Sequence, residues 1–304
     1  MGRPWVLLDT SYLAYRAHYG NADLVWEDLR TEILYGFWEQ LRVICNHEMV
    51  NSTRIVACCD SRSSLRRKAF PGYKASRREE QTFEEREERR IIHDQVRLLR
   101  DEVLPEVGIL VLRQDGLESD DVMAQAVLQL SDQKCPEQAI LVTADGDLWQ
   151  CINENTIWFD PSRGLMYDLP TFIEKKGIDP RLWGNVKCYA GCSSDAVPGI
   201  PGVGEKTAVK YLLNELPSRY KTYQAIQSPE GERIYQRNFE LVVLPHKATQ
   251  KVVLRKPEFN VSAFFKMCER YGFLSYLRPP MKGMWEDFFQ VGRGQVRTRK
   301  RRKG

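Results

Sequence analysis

Residues 4–11 read PWVLLDTS. Four apolar residues, Trp5 to Leu8, follow one another with no polar alternation, and the run ends on Asp9. A strand with one wet face alternates; an uninterrupted run fits a strand covered on both faces, as in parallel sheets. The same pattern returns in RIVACCD (54–60), GILVLRQ (108–114) and AILVTAD (139–145). Between these runs lie stretches with helical spacing, LRTEILYGFWEQLRVICNHEM (29–49) and ERRIIHDQVRLLRDEVL (88–104). The alternation predicts an α/β fold, a mostly parallel sheet flanked by helices. NTIWFDPSRGLMYDL (155–169) has a turn in its middle and predicts a hairpin or edge strand. After about residue 168 the pattern becomes helical, with Gly and Pro punctuation, in LPTFIEKKGIDPRLWGNVKCYAGC, EKTAVKYLLNEL, YQRNFELVVL and VSAFFKMCERYGF.

The 304 residues suit one large domain or two smaller ones. No apolar run is long enough to span a bilayer, and the start has no signal-peptide pattern, so a cytoplasmic protein is expected. The eight cysteines sit mostly in apolar segments, as in Cys58 and Cys59, and are expected to be reduced and buried. No C-x-x-C pair occurs and the four histidines are scattered, which argues against structural zinc. Net charge is +4, but the tail GRGQVRTRKRRKG supplies seven cations, Arg293, Arg297, Arg299, Lys300, Arg301, Arg302 and Lys303. The body without them is net acidic, so the tail is expected to be a disordered arm that searches polyanions, or merely a solubilising one.

Residues 62–90, RSSLRRKAFPGYKASRREEQTFEEREERR, stand where an α/β pattern would have a short connection. The first half is purely basic and the second mostly Glu and Arg. The segment is either a functional insertion or a solvated charged helix.

The acids fall at the ends of the predicted strands. Asp9 ends the first and Asp60 the second; Glu118, Asp120 and Asp121 follow the third; Asp145 and Asp147 end the fourth. Open α/β sheets bind ligands beyond the carboxyl ends of their strands. One at a time, these acids also read as an N-cap (Asp9), helix N-terminal charges (118–121) or a turn (145–147). Together on one edge they would repel, and a divalent cation relieves the repulsion. Carboxylates with no His or Cys among them suit Mg²⁺ or Mn²⁺ rather than zinc.

LLDTSYLAYR, CCDSRSSLRRKAFPGYKASR, GLESDDVMAQ, TADGDLWQCI and GIPGVGEKTAVKYL occur in the order seen in the 5′-nuclease family, and residues 5–280 resemble it throughout. That family includes flap endonucleases, phage 5′–3′ exonucleases and the 5′-nuclease domain of bacterial DNA polymerase I. The chain looks most like its stand-alone phage or bacterial form. The resemblance implies a PIN-like catalytic domain and hydrolysis of DNA phosphodiesters near 5′ ends or flaps by two metals, leaving a 5′ phosphate. It implies that Asp9, Asp60, Glu118 and Asp120 hold the first ion, and Asp121, Asp145 and Asp147 hold or orient the second. Residues 62–90 match the helical arch through which a 5′ strand passes. Lys74 matches the catalytic lysine and Arg77 its partner, both neutralising the scissile phosphate. Tyr73 would stack on a base, and Arg66, Arg67 and Lys68 would guide the strand.

Residues 199–207, GIPGVGEKT, invite a phosphate-loop reading. Gly199 and Gly204 have the required separation, but Glu205 stands where the lysine must be and no strand precedes the loop. The better reading is a helix-hairpin-helix hook or, more plainly, an ordinary turn between helices. In the hook, Gly199, Gly202 and Gly204 let the backbone approach a DNA phosphate at a helix N-terminus. Lys206 and Lys210 add charge there, with Lys187 as a further phosphate contact by resemblance and K⁺ held by backbone carbonyls. Just before it, the family has G-D-x-x-D where this chain has GCSSD: Cys192 replaces the first aspartate and Asp195 remains. A thiol is too soft for Mg²⁺, so the departure implies a weaker second metal, a shift toward Mn²⁺, or separation of exonuclease from flap cleavage.

The expected organisation is therefore a catalytic domain over 1–185 with its arch at 62–90, a helical DNA-binding region over 186–290, and a basic tail over 291–304. The expected partners are DNA 5′ ends, flaps or forks, acted on by a monomer away from membranes, with Mg²⁺ (two ions, replaceable by Mn²⁺) as cofactor. Two alternatives stay open: a primer-removing nuclease acting on RNA–DNA hybrids, and a non-catalytic DNA-binding relative.

Overall fold

The computed structural model describes residues 2–20, 24–75 and 82–292, the last two without their side chains. Strand β1 (Trp5–Asp9) runs into α1 (Thr10–Gly20) without a loop. A short hairpin, β2 (Val25–Trp26) and β3 (Leu29–Arg30), leads to α2 (Glu32–Asn46) and then to β4 (Arg54–Cys58). After α3 (Leu65–Ala69), α4 (Phe83–Leu98) continues through a wide turn over Leu99–Val103 into α5 (Leu104–Val107). Next come β5 (Leu110–Leu112), α6 (Ser119–Ser131), β6 (Ala139–Val142), β7 (Thr156–Asp160) and β8 (Leu165–Tyr167).

The sheet order is β5-β4-β1-β6-β7-β8. β1 pairs in parallel with β4 and β6, β4 with β5, and β6 with β7. Only β8 is antiparallel among these strands, folding back on β7 as the hairpin and edge that 155–169 predicts. All five residues of β1 are buried, because the strand is central and covered on both sides. Val6 and Leu8 join one core with Phe37 and Trp38 of α2. Trp5 and Leu7 join the other with Val122 and Met123 of α6 and with Trp158 and Trp183. The predicted strand at 108–114 is shorter and less covered: β5 is an edge strand and its residues are half-buried.

The C-terminal half is helical, as the pattern change near residue 168 predicts. It comprises α7 (Leu169–Lys176), α8 (Trp183–Ala190), α9 (Glu205–Leu212), α10 (Lys221–Gln227), α11 (Pro229–Val242), α12 (Val261–Arg270) and α13 (Met281–Gly292). A short strand pair, β9 (Gly191–Cys192) and β10 (Val197–Pro198), lies between α8 and α9. Two groups of these helices sit on opposite faces of the sheet. Phe264, Trp285 and Phe289 of α12 and α13 pack into the core with Trp38, whereas Trp183, Ile200 and Ala208 belong to the other core. Truncating a side chain as large and as buried as Trp38 costs ~3–5 kcal/mol.

Local signals agree with the elements. Thr82 and Glu85 form a capping box that starts α4, and Glu118 with Asp121 forms one that starts α6. The cysteines are free, and Cys45, Cys58, Cys59, Cys188, Cys192 and Cys268 are buried, while Cys135 is exposed. No helix of the described residues is long and apolar enough to cross a membrane. Arg77 and the cations of the tail lie outside the described residues.

Candidate active site

The parallel strands bring their carboxyl ends to one edge, and the acids follow. Asp9 leaves β1 with both oxygens engaged: Oδ1 accepts from Tyr12 N (3.1 Å) and Oδ2 from Thr143 Oγ1 (2.9 Å). Asp60, just after β4, accepts from Ser11 Oγ (2.6 Å) and from Ser119 N (2.9 Å). These donors come from α1, from the segment after β6 and from the start of α6, so three different elements aim the carboxylates. Asp145 accepts from Asp147 N at 2.8 Å. Asp9, Asp60, Glu118, Asp120 and Asp145 all line one cleft of about 830 Å³, together with Lys74.

The electrostatics of this edge are unfavourable without a cation. Burial, and then Asp60, raises the Asp9 carboxyl to about 7. Burial, and then Asp145 and Asp9, raises Asp120 well above the carboxylate range. Burial and Asp145 raise Asp147 to about 6. Asp120 Oδ1 is buried and has no hydrogen-bond partner. An orphaned carboxylate oxygen beside other acids is the donor set that a hard divalent cation fits.

Lys74 provides the positive charge. Its Nζ donates to Glu118 Oε2 at 2.8 Å and lies 3.8 Å from Asp195 Oδ2. Burial works against the ammonium, but Glu118, Asp195 and Asp120 outweigh it and hold Lys74 above its ordinary range. Its backbone is left-handed, φ +53°, and its N–H donates to the Asp195 carbonyl at 2.7 Å. A non-glycine residue in that region costs ~1–3 kcal/mol, and such strain clusters at functional sites.

A second group forms beside the edge. Asp147, Cys192 and Asp195 each offer a ligand atom, all within 4.8 Å of one another. Cys192 Sγ donates to Asp147 Oδ2 at 3.4 Å and lies 3.1 Å from Ser194 Oγ. Burial and Asp147 push the Cys192 thiol up to about 12. Lys187 Nζ lies 3.5 Å from Asp147 Oδ1 and 3.0 Å from Glu205 Oε1. Burial opposes its charge, yet these acids raise it to about 12. Glu205, which disqualifies the phosphate-loop reading, thus ties α9 to the acidic group through Lys187.

Several expected roles do not fit the geometry. Asp121 is fully buried and paired with Arg66, whose Nη1 and Nη2 donate to its two oxygens at 2.5 and 2.8 Å. His246 N and Glu118 N also donate to Asp121. Burial raises its carboxyl, but Arg66 outweighs that and holds it below the usual range. Asp121 therefore faces away from the cleft as a structural ion pair rather than a metal ligand. Arg66, 3 % exposed and also donating to the Leu241 carbonyl at 2.8 Å, cannot guide a strand. Tyr73 has no face open to a base. Its ring packs with Cys188, Cys192, Val197 and Leu241, and its single hydroxyl proton is shared between Glu118 Oε2 (2.9 Å) and Asp195 Oδ2 (3.1 Å). Arg67 lines the cleft and Lys68 is exposed.

In the turn between α8 and α9 the glycines divide. A Cβ on Gly199 would lie 2.2 Å from the Ala190 backbone, so that glycine serves internal packing rather than approach of a phosphate. Gly202 has φ +79°, and a Cβ on Gly204 would meet nothing within 4 Å; both are exposed, as are Lys206 and Lys210.

Sequence reading misses three groups. Ser11 and Thr143 hold the acids by hydroxyls, which carry no signal of their own in sequence. Arg89, His93 and Arg97 of α4 also line the cleft. Their spacing of four is the signal that identifies them, once the face of α4 that packs inward is known.

Residues 4–177 match the family described as 5′-3′ exonuclease, N-terminal resolvase-like domain. The DNA polymerase I of Mycobacterium leprae is 30 % identical over 240 residues, 75 % of this chain and 25 % of that protein. The chain thus spans about a quarter of the length of the polymerase relatives it matches. A 5′-3′ exonuclease of Buchnera aphidicola is 27 % identical over 233 residues, 74 % of this chain and 76 % of that one. The T5 5′-exonuclease, solved with divalent zinc ions bound, superposes with a TM-score of 0.66 at 18 % identity, covering 95 % of this chain and all of that one. The strand-end acids, the parallel sheet that gathers them and the match over more than half the chain lead to one conclusion: the chain belongs to the 5′-3′ exonuclease, N-terminal resolvase-like domain family.

Proposed function

We propose that this protein is a divalent-metal-dependent 5′ nuclease, a 5′–3′ exonuclease and flap endonuclease that hydrolyses DNA phosphodiesters in replication or repair. The observation that carries the reading is the convergence of Asp9, Asp60, Asp120 and Asp145 on one cleft with Lys74 among them. Asp9, Asp60, Glu118, Asp120 and Asp145 would hold Mg²⁺, with Mn²⁺ able to substitute. Asp147 and Asp195 would contribute a second position weakened by Cys192. When bound, the cations supply Lewis-acid stabilisation of charge on the phosphate oxygens. The chain's own residues do the rest. Ser11, Thr143 and the Ser119 amide fix the carboxylates, and Lys74, kept protonated by Glu118, presents positive charge to the scissile phosphate. Arg77 is proposed as its partner.

In this reading residues 1–185, with the arch at 62–90, carry the chemistry. Residues 186–290 hold the duplex, with α8 and α9 as a helix-hairpin-helix. Gly202, Gly204, Lys206 and Lys210 face the backbone there, K⁺ is bound at the turn, and the contacts position without reading sequence. Lys187, bridging Asp147 and Glu205, belongs to the acidic group first and meets phosphate from there. The 291–304 tail adds polyanion attraction, and the working unit is a monomer in the cytoplasm. A second reading, a DNA-binding relative without activity, has one observation in its favour, the thiol at Cys192 in place of a carboxylate. Removal of RNA primers from hybrids is an extension of the same chemistry.

The test is incubation of the protein with a 5′-labelled flap DNA in EDTA, Mg²⁺ and Mn²⁺. Cleavage in either metal and none in EDTA is expected. No cleavage in either metal would overturn the enzyme reading.

A further inference from the structure

α4 forms one wall of the cleft: Arg89, His93, Asp94 and Arg97 line the space that the strand-end acids share. Three contacts hold its other side on the body. Ile92 is buried, Gln95 Oε1 accepts from Ile33 N at 3.1 Å, and Glu88 Oε1 lies 2.9 Å from His18 Nε2. The first two do not depend on pH; the third does.

His18 sits near the end of α1, 6 % exposed, with a carboxyl group at each ring nitrogen. Nδ1 lies 3.0 Å from Glu32 Oε1 of α2, and Nε2 faces Glu88 of α4. Arg30 of β3 donates to the same Glu32 oxygen at 2.8 Å, and the Tyr19 ring packs against the imidazole at 4.9 Å between centres. Glu32 is fully buried. Burial raises its carboxyl, but Arg30, its own backbone N–H and His18 outweigh that and hold it below the usual range. Glu32 is therefore an ionised acceptor, and Nδ1 must carry a proton to meet it.

A neutral imidazole has one N–H. With that proton on Nδ1, Nε2 presents a lone pair to the Glu88 oxygen, and two acceptors at that separation repel. The bond between α1 and α4 forms only when the ring holds a second proton, whereas the bond between α1 and α2 needs only the first. His18 thus joins a permanent tie to a conditional one.

We propose that His18 is a positioning residue, a proton-operated strap that holds α4, and with it one wall of the cleft, against the body. Two protons on the ring close the strap. Loss of the second opens it at Glu88, while Glu32 keeps the first. The Glu88 side chain is half exposed, so its released carboxylate turns to water. Ile92 and Gln95 stay in place, so α4 loosens around residue 88 rather than detaching. The relevance to a bound strand rests on the nuclease reading; the strap itself does not.

The experiment is amide hydrogen exchange on the full chain at about pH 6 and about pH 8.5, on either side of the interval in which histidine ordinarily changes charge. Each rate is normalised to that of an unstructured chain at the same pH. In the wild type, protection of the α4 amides around Glu88 is expected to fall by about tenfold between the two, the effect of one charge-assisted hydrogen bond. Amides of β1 should not follow. Glu88→Gln is the decisive variant. Its carbonyl accepts from the protonated Nε2, and its amide donates to the Nε2 lone pair of the neutral ring. Its protection should therefore be independent of pH and exceed the wild type's at about pH 8.5. Glu88→Ala leaves Nε2 without a partner on α4 and should show the low protection at both values. The position is half exposed, so both variants are expected to fold. His93 and the acids of the cleft are the same in all three proteins, so the comparison isolates His18. No cleavage is measured, so failure of the nuclease reading is seen separately. Wild-type protection that does not change with pH, or a fall in Glu88→Gln as large as in the wild type, would overturn the proposal.

Discussion

Cys192 Sγ stands 3.4 Å from Asp147 Oδ2 and donates to it. The thiol occupies a position where a third carboxylate would complete a hard-cation site with Asp147 and Asp195. Cys192→Asp is therefore expected to lower the Mg²⁺ concentration that half-saturates cleavage by about tenfold or more, as one added charged ligand would. The same change places a further acid in a buried cluster. In EDTA it is expected to lower stability by ~1–3 kcal/mol, and added metal should restore it. Thermal melts with and without metal, beside a metal titration of cleavage, check both halves.

Lys74 is expected to act on rate more than on binding. Lys74→Ala should reduce single-turnover cleavage by about 10²–10³-fold, the usual cost of one preorganised positive group, while DNA affinity changes by much less. Rapid-quench kinetics with saturating protein separates the two. Equal losses in affinity and rate would assign Lys74 to strand binding instead.

Arg66 and Asp121 are expected to be structural. Arg66→Met alone leaves a buried carboxylate unpaired and should cost ~3–5 kcal/mol. Arg66→Met/Asp121→Leu should recover a large part of that, because an apolar pair replaces a buried ion pair at little net cost. Chemical denaturation of the two variants measures it. If Asp121→Asn instead weakened metal binding without loss of stability, Asp121 would belong to the metal site.

The Asp9 carboxyl, raised to about 7 mainly by burial and Asp60, gives a pH prediction for the metal-free protein. A raised pKa means that the folded state holds the proton more tightly than the unfolded one. The stabilisation from protonated Asp9 is complete below about 4 and is lost as pH rises toward and through 7. Asp9→Asn cannot ionise. In EDTA its stability relative to wild type should therefore rise between pH 5 and pH 8, by ~1–3 kcal/mol. Melting curves at the two pH values check the sign. A divalent cation, by compensating the charge, should shrink the difference.

Much of this arrangement is legible in the sequence, for physical reasons. Unbroken apolar runs such as Trp5–Leu8 identify strands covered on both faces, and an acid after each run lands on the same edge when the strands are parallel. Backbone direction alone sets where Asp9, Asp60 and Asp145 go. Asp121 shows the limit. It is adjacent to Asp120, yet successive helical residues point about 100° apart, so one meets the cleft and the other meets Arg66. Tyr73 and Gly199 were likewise legible as residues of a functional loop but not as packing groups. Their roles depend on contacts with Glu118, Asp195 and Ala190 that are distant in sequence or made by backbone. The cleft-lining side of α4 is hidden by composition, since a run of Glu and Arg reads as solvated until the contacts of Glu88, Ile92 and Gln95 turn it.

The central claim, that the strand-end acids hold cations for phosphodiester hydrolysis, is tested most directly at Asp120, whose Oδ1 is buried without a partner. The measurement is single-turnover cleavage of a 5′-labelled flap DNA by wild type and Asp120→Asn across a Mg²⁺ titration. Metal binding is followed in parallel by calorimetry. The account predicts that the variant folds, binds divalent metal at least tenfold more weakly, and cuts at least 10²-fold more slowly at saturating DNA. Cleavage at the wild-type rate, with metal affinity unchanged, would contradict it.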